Sequence, residues 1–281
     1  MSLIPPAVSQ HSTAGQPQSS LQATLEQAYQ LQQEGKIELA IERLEAELAR
    51  IPQNPNQTQF KERVSLAMAI AEFCVAAGDS EKASAILATE FNLAKATFQK
   101  IKAEGSDDDK RLAFRGLVQL RDYYTQIGLI GKPAPGLAVK EWINGPPVTL
   151  AELKGRVVLL EFWATWCKPC EQMFPKLKVL YDQYASQGLV ILALTRYFLA
   201  YGGTEDSQAK ELELIREFVK KHGIEFPVGI SEDESTQTAY GATALPIITL
   251  LDRQSVVRYF ALATEDERFK QALETSLSEA V

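Results

Sequence analysis

The sequence predicts a two-domain protein, with an all-α N-terminal part and an α/β C-terminal part built on a central mixed sheet flanked by helices. Three observations support this prediction. Apolar residues recur at helical spacing up to about residue 128, a Pro- and Gly-rich stretch follows at 130–136, and beyond it short runs of Val, Ile, Leu and Phe alternate with helical segments. A length of 281 residues suits one large domain or two ordinary ones.

The N-terminal part is predicted to contain two segments. Residues 1–20 are polar and lack the apolar core of a signal peptide, so we expect a disordered segment there. Residues 21–128 are predicted to form a helical domain. Its apolar stripes are interrupted near Gly35, Pro52 and Gly78, which is typical of antiparallel helices that pack on one another.

The helical domain also contains a weak internal repeat. The spacing of Gly35, Ala40 and Leu44 returns 43 residues later, starting from Gly78. It resembles half of a tetratricopeptide repeat (TPR), although the period of that repeat is about 34 residues. TPR-like hairpins often leave a groove for a peptide, and a plain helical bundle without such a groove is the alternative. We expect helices 21–128 to contact a protein partner or a second copy in a dimer.

Residues 129–281 are predicted to form the α/β domain. The predicted buried strands alternate with helices, which indicates a layered domain around a central sheet. The strands are 157–163, 189–195, 246–251 and 256–261, and the helices are about 168–187, 206–222 and 265–280. Asn144-Gly145 predicts a hairpin between Val139–Trp142 and Pro147–Thr149.

Cys167-Lys168-Pro169-Cys170 follows the first buried strand and is the strongest chemical signal in the chain. Two cysteines separated by two residues can close and reopen a disulfide ring, and a strand that leads them into a helix suits reversible thiol chemistry. Cys167 is the predicted nucleophile, because unpaired N–H groups at the helix N-terminus and the Lys168 cation stabilise a thiolate. Pro169 fits the first helical turn. Cys170 is predicted to resolve the mixed disulfide.

Glu161 is the only charged residue in the apolar run 157–164. On a central strand its carboxyl group would be buried, and burial raises the pKa of a lone carboxyl. Such a group can accept the proton of Cys170 and return it later. The alternative is that Glu161 reaches a solvent edge or pairs with a lysine.

The second half of the predicted site is Leu245-Pro246. Proline at the start of a strand is unusual, and a cis bond before Pro246 would present the Leu245 backbone to an extended substrate. Trp166, beside the nucleophile, is expected to form an exposed contact surface. Lys168 and Pro169 are the other candidate substrate-binding residues.

Composition excludes several classes of protein. The net charge of −7 gives no basic surface for nucleic acid, and no apolar run reaches the length of about 20 residues that spans a membrane. A zinc site needs about four ligands. Beyond the cysteine pair only Cys74, His11 and His222 remain, on separate segments, so neither a metal nor a cofactor is expected. Cys74 is predicted to be a buried, inert thiol, and His222 to end a helix.

With these motifs in place, residues 131–281 resemble the thioredoxin-like superfamily, and most of all the TlpA-like or ResA-like thiol–disulfide oxidoreductases. The resemblance lies in the residues 131–135, 148–170, Phe174-Pro175, 226–228 and 245–246. It implies a thioredoxin-like fold in which Cys167 attacks, Cys170 resolves and Pro246 is the cis-proline. It also implies a location outside the cytoplasm, with a leader absent from this sequence. A cytoplasmic location is the alternative.

The chain departs from the family pattern in three places. Met173 stands where many TlpA-like members carry a Glu three residues after the second cysteine. Glu161 stands where they often carry Asn, and it resembles the buried acid of thioredoxin itself. The stretch 196–203 also differs, and its aromatic residues Tyr197, Phe198 and Tyr201 are candidates for a rim of the site.

These observations favour an enzyme, a thiol–disulfide oxidoreductase that reduces disulfides in protein substrates and is recharged by an upstream thiol donor. An alternative is a redox-switched binding module in which the helical domain recognises a partner. A lesser alternative is a thiol peroxidase. That chemistry is less favoured, because its family places a Thr three residues before the reactive cysteine, whereas Thr165 is two residues before Cys167.

Overall fold

The computed structural model describes residues 20–53, 55–199, 203–261 and 267–279. Nearly all of the predicted disordered segment, residues 1–19, lies outside these ranges. The chain divides into two compact units between Gly128 and Leu129. We call them the helical unit and the sheet unit. The predicted architecture, helices first and a mixed sheet with flanking helices second, is confirmed.

The helical unit consists of consecutive helices joined by short turns. They are α1 (Ser20–Gln33), α2 (Ile37–Arg50), α3 (Gln57–Ala76), α4 (Ser80–Glu104) and α5 (Asp107–Leu129). Gly35 and Gly78 have positive φ angles and allow the turns before α2 and α4. Asn56 begins α3 with a capping box, and the Asp79 carboxylate accepts the N–H of Lys82 to begin α4. From α1 to α4, each helix packs on the next.

A buried ion pair ties three of these helices together. The Arg63 guanidinium on α3 donates to both carboxylate oxygens of Glu90 on α4, with an Nε–Oε2 distance of 2.9 Å. It also donates to the Ile51 carbonyl oxygen at 2.6 Å, just beyond the end of α2. Buried charges are stable when they are paired and hydrogen-bonded, so this contact is structural.

The sheet unit is built on six strands in the order β1-β4-β3-β2-β5-β6. The strands are β1 (Glu141–Ile143), β2 (Val157–Phe162), β3 (Leu189–Arg196), β4 (Val228–Ser231), β5 (Ile247–Leu251) and β6 (Val257–Ala261). The helices are α6 (Lys168–Tyr184), α7 (Glu205–Lys221), α8 (Ser235–Ala239) and α9 (Glu267–Ser278), and a short 3-10 turn at 185–187 follows α6.

Strand β2 lies in the middle of the sheet, parallel to β3 and antiparallel to β5. All six of its residues are buried, as is usual for a strand covered on both faces. Leu160 and Phe162 point into the core cluster on one face. Because side chains alternate along a strand, Glu161 and Trp163 point to the other face, where Trp163 packs on Phe174 of α6.

The predicted hairpin around Asn144-Gly145 is wrong. β1 pairs antiparallel with β4, and residues 147–149 form no strand. Asn144 does make a turn, with a φ of 62°, but its side-chain amide donates to the Ile224 carbonyl oxygen at 2.6 Å. Pro146 and Pro147 lack the N–H groups that a returning strand would need.

None of the helices in the described part of the chain combines the length and the apolar character needed to cross a membrane. Cys74 on α3 is completely buried, and His222 is the residue at which α7 ends.

Candidate active site

The turn between β2 and α6 delivers the cysteine pair to the edge of the sheet. Cys167 is the N-cap residue of α6, and its Sγ accepts a hydrogen bond from the Cys170 N–H at 3.3 Å. Pro169 lies in the first helical turn, where no intrahelical N–H donor is required. The sulfur of Cys167 therefore occupies the position at a helix N-terminus that favours negative charge.

Cys167 and Cys170 form a disulfide, with a Cα–Cα distance of 5.3 Å. The structure thus represents the oxidised protein. Cys167 is 3% exposed, whereas Cys170 is 0% exposed. Both residues are buried, but Cys167 is the one of the two with any exposed area, so a sulfur from another molecule would meet Cys167 first.

Exposed side chains surround the cysteine pair. Trp166 is 59% exposed, and Pro169 is also exposed. The Lys168 ammonium group extends into solvent and pairs with the Glu171 carboxylate at 3.2 Å. These three predicted substrate-binding residues therefore lie together at the surface around Cys167.

Leu245-Pro246 lies at the end of the sheet where β2 turns towards the cysteines. The bond between the two residues is cis. Ile247 pairs with Phe162, the last residue of β2, and the two strands are antiparallel. Pro246 is therefore opposite Trp163, the first residue of the turn that leads to Cys167, and Leu245 is half-buried beside it.

Glu161 lies on the sheet face that α6 covers, and its side chain is completely buried. In the sheet register it is flanked by Ala193 and Ile248. Neither carboxylate oxygen has a hydrogen-bond partner among the residues that the structure describes. Burial raises the pKa of Glu161 well above its ordinary value, because a low-dielectric environment disfavours the charged form. Glu161 neither reaches a solvent edge nor pairs with a lysine, the alternative considered from the sequence.

The segment after β3 also reaches the site. The ring of Phe198 contacts Trp166 edge to face, with centroids 5.3 Å apart. Sequence reasoning gave no role to Leu199 or Glu211 in this region. The sequence feature that could have drawn attention to this region is the departure of residues 196–203 from the family pattern. Tyr201 lies outside the described residues.

The fold and the site together define a class of protein: a cysteine at a helix N-terminus, disulfide-bonded to a second cysteine one turn further along that helix beside a thioredoxin-like sheet, characterises the thiol–disulfide oxidoreductases. Sequence comparison agrees. The profile of the AhpC/TSA family matches residues 130–260.

The chain belongs to the ResA family of thiol–disulfide oxidoreductases. It is 32% identical over 148 residues to ResA of Geobacillus thermodenitrificans, which covers 52% of this chain and 77% of that relative. It is 36% identical over 129 residues to ResA of Bacillus thuringiensis strain Al Hakam, a match that covers 46% of this chain and 66% of the relative's length.

A solved thiol-disulfide isomerase from Corynebacterium glutamicum is also similar. The two chains are 23% identical, and the match covers 53% of this chain and 97% of that one, with a TM-score of 0.43.

Proposed function

We propose that this protein reduces disulfide bonds in other proteins through the Cys167–Cys170 dithiol. The observation that carries the proposal is the asymmetry of the pair. Cys167 reaches the surface at the N-terminus of α6, while Cys170 is buried one turn deeper. Such an arrangement suits an outer nucleophile and an inner resolving thiol.

The proposed cycle begins with the reduced dithiol. The Cys167 thiolate attacks one sulfur of the substrate disulfide, which forms a mixed disulfide and releases the other substrate sulfur as a thiolate. Cys170 then loses its proton and attacks Cys167 Sγ, which releases the second substrate thiolate and closes the Cys167–Cys170 disulfide. Two electrons pass from the protein to the substrate, and an upstream dithiol donor returns them.

Glu161 is proposed to accept the Cys170 proton during the second step. Burial raises the pKa of its carboxyl, which has no hydrogen-bond partner among the described residues, so the ionised form binds a proton more strongly than an exposed carboxylate does. A buried carboxyl of this kind is costly to the fold, which favours a role in the reaction over a structural one.

The substrate segment is proposed to lie along Leu245 and Pro246, with Trp166, Lys168 and Pro169 around the attacking sulfur. An extended polypeptide can pair with exposed backbone at a strand terminus. The position of Leu245 opposite the turn that carries Cys167 supports this path.

The helical unit is proposed to bind a protein partner or a second copy of the chain through the region 21–128, in a TPR-like manner. From the family resemblance we also infer a location outside the cytoplasm. Fractionation of cells that express the full-length protein distinguishes this location from the cytoplasmic alternative.

The test is the reduction of insulin by dithiothreitol, followed as insulin precipitates. We expect the protein to accelerate the reaction and Cys167→Ser to abolish the acceleration. Cys74→Ser is the matched control, because Cys74 is buried in the other unit and should not contribute. Equal acceleration by Cys167→Ser would refute the proposal.

Two further readouts address the alternatives. A partner affinity that differs between the oxidised and reduced forms, without disulfide turnover, would favour the redox-switched binding module. Consumption of hydrogen peroxide that depends on Cys167 would favour the thiol peroxidase.

A further inference from the structure

The segment that follows β3 holds an aromatic ring against the active site. Phe198 meets Trp166 at an interplanar angle of 85°, an edge-to-face arrangement that aromatic pairs prefer. On Phe198 the Arg196 guanidinium lies 4.2 Å from the ring centroid, a cation–π contact. Phe198 is therefore held by two neighbours, one of which is the residue before the nucleophile.

A buried carboxylate fixes the backbone of this segment. Glu211 on α7 is 5% exposed. Its Oε1 accepts the N–H of Phe198 at 2.8 Å, and its two oxygens accept the N–H of Leu199 at 3.1 and 3.0 Å. Hydrogen bonds to a charged acceptor are stronger than neutral ones. The preceding Tyr197 is buried and donates its hydroxyl to Glu141 at 2.9 Å.

This anchoring presents apolar side chains to solvent. Leu199 is 73% exposed and Trp166 is 59% exposed, although both are large and apolar. The backbone N–H groups of Phe198 and Leu199 are already used by Glu211, so these two residues offer side chains and not N–H donors to another molecule. We call Trp166, Phe198 and Leu199 the apolar rim. A held, exposed apolar surface beside a reactive group is typical of a binding site.

We propose that the apolar rim is a specificity-determining subsite that takes a large aliphatic or aromatic side chain next to the substrate cysteine. The inference rests on the proposed function. Trp166 directly precedes Cys167, and consecutive Cα atoms are only about 3.8 Å apart, so a substrate bonded to Cys167 has Trp166 within reach. The neighbouring substrate side chain then reaches Phe198 and Leu199.

The chemistry of the rim selects against a charged occupant. Arg196 is the cation on the Phe198 ring, and its guanidinium donates to Gln237 at 2.9 Å and lies 3.6 Å from the Glu234 carboxylate. Its charge is thus already engaged within the unit. Against the apolar side chains of Trp166, Phe198 and Leu199 themselves, a polar substrate side chain would lose water without a hydrogen bond in return, whereas an apolar one would not.

The test compares three substrates. Two are peptide disulfides that differ only in the residue beside the cysteine, Leu in one and Ser in the other, and the third is hydroxyethyl disulfide. We expect kcat/KM to favour the Leu peptide over the Ser peptide by about tenfold, the scale of an apolar pocket contact. Leu199→Ser should remove most of this preference, mainly through a higher KM.

Further variants test whether the preference for the Leu peptide depends on the apolar rim. Leu214→Ser changes another exposed leucine, on α7, and should keep the preference. Glu211 is a positioning residue in this proposal. Glu211→Ala should lower the ratio of kcat/KM on the Leu peptide to that on hydroxyethyl disulfide, and Glu211→Gln, which keeps one acceptor oxygen, should restore part of it. Thermal unfolding of each variant verifies that it is folded.

The outcomes distinguish this proposal from the function on which it rests. If the protein reduces all three substrates but does not prefer the Leu peptide to the Ser peptide, the subsite proposal is overturned and the proposed function stands. The same holds if Leu199→Ser slows all three substrates equally. If the wild-type protein reduces none of the three, the proposed function fails and the subsite fails with it.

Discussion

Glu90 in the helical unit and Glu161 in the sheet unit are both shielded from solvent, but only Glu90 is paired. Glu90 receives two hydrogen bonds from Arg63, whereas both oxygens of Glu161 lack a partner among the described residues. A buried charge with a partner can be a structural element, while one without a partner destabilises the fold unless it stays protonated. The contrast supports the proposal that Glu161, and not Glu90, exchanges a proton during the reaction.

The cysteines of the two units also differ in their surroundings. Cys74 is buried on α3, and the loss of hydration on burial raises its pKa to about 11, so that it stays a thiol at neutral pH. Cys167 lies at a helix N-terminus and reaches the surface. The thiol of the helical unit is therefore expected to be inert, whereas the proposed function makes Cys167 of the sheet unit reactive.

The largest effect is expected from Cys170→Ser. Turnover of protein disulfides should be lost, because no internal thiol remains to release the substrate from Cys167. The mixed disulfide should accumulate and be visible as a covalent complex on a non-reducing gel. In the helical unit, Cys74→Ser should leave turnover intact and trap nothing. A complex trapped through Cys74 would contradict the contrast between the units.

Breaking the ion pair of the helical unit should have the next largest effect. Glu90→Ala leaves the Arg63 charge buried and unpaired, so we expect the free energy of unfolding to fall by about 3–5 kcal/mol. Urea unfolding followed by circular dichroism measures it. The double variant Arg63→Met/Glu90→Leu should recover much of the loss, because it removes both charges. A loss below about 1 kcal/mol in the single variant would mean that the pair behaves like an exposed one.

The Glu161 carboxyl should affect the rate of disulfide turnover. Glu161→Gln should slow turnover at neutral pH by about 10²-fold, the lower end of what a general base contributes. In the wild type the rate should rise with pH as Glu161 ionises through its raised pKa, and the variant should lack this rise. Stopped-flow oxidation of the dithiol at several pH values measures both. Glu171→Gln is the control, since Glu171 pairs with Lys168 at the surface. An unchanged pH–rate profile would remove Glu161 from the mechanism.

The smallest expected effect is on how the free energy of unfolding depends on pH. The folded protein keeps a proton on Glu161 at pH values where the unfolded chain, with a carboxyl pKa near about 4.3, has released it. Stability should therefore fall as pH rises from that value to the raised folded pKa, by up to about 1.4 kcal/mol per pH unit. The Glu161→Gln variant has no carboxyl at this position and should not lose stability in this way.

Urea unfolding of the two oxidised proteins measures this difference across the pH range. The Gln variant should become increasingly more stable than the wild type over that interval, and below it the effect of pH on the two proteins should be the same. Parallel curves at all pH values would show that Glu161 is not a buried carboxyl with a raised pKa.

Much of this arrangement could be predicted from the sequence, because it depends on local patterns. Helical periodicity located α1 to α5, and the apolar run before Cys167 located β2 and the start of α6. The hairpin at Asn144-Gly145 failed, because the partner of β1 is β4, about 85 residues further along the chain. The Asn-Gly pair favours a local hairpin, but the strand with which β1 pairs is chosen by contacts between residues far apart in the sequence.

The sequence by itself determined the reaction centre, since the spacing of Cys167 and Cys170 after a buried strand needs only local geometry. Tertiary structure alone decided two things. The Glu161 carboxyl has no hydrogen-bond partner among the described residues because of what covers both faces of β2, and Phe198 meets Trp166 because Glu211 on a different helix holds the backbone after β3. Burial and contact between distant segments depend on packing, which no local pattern encodes.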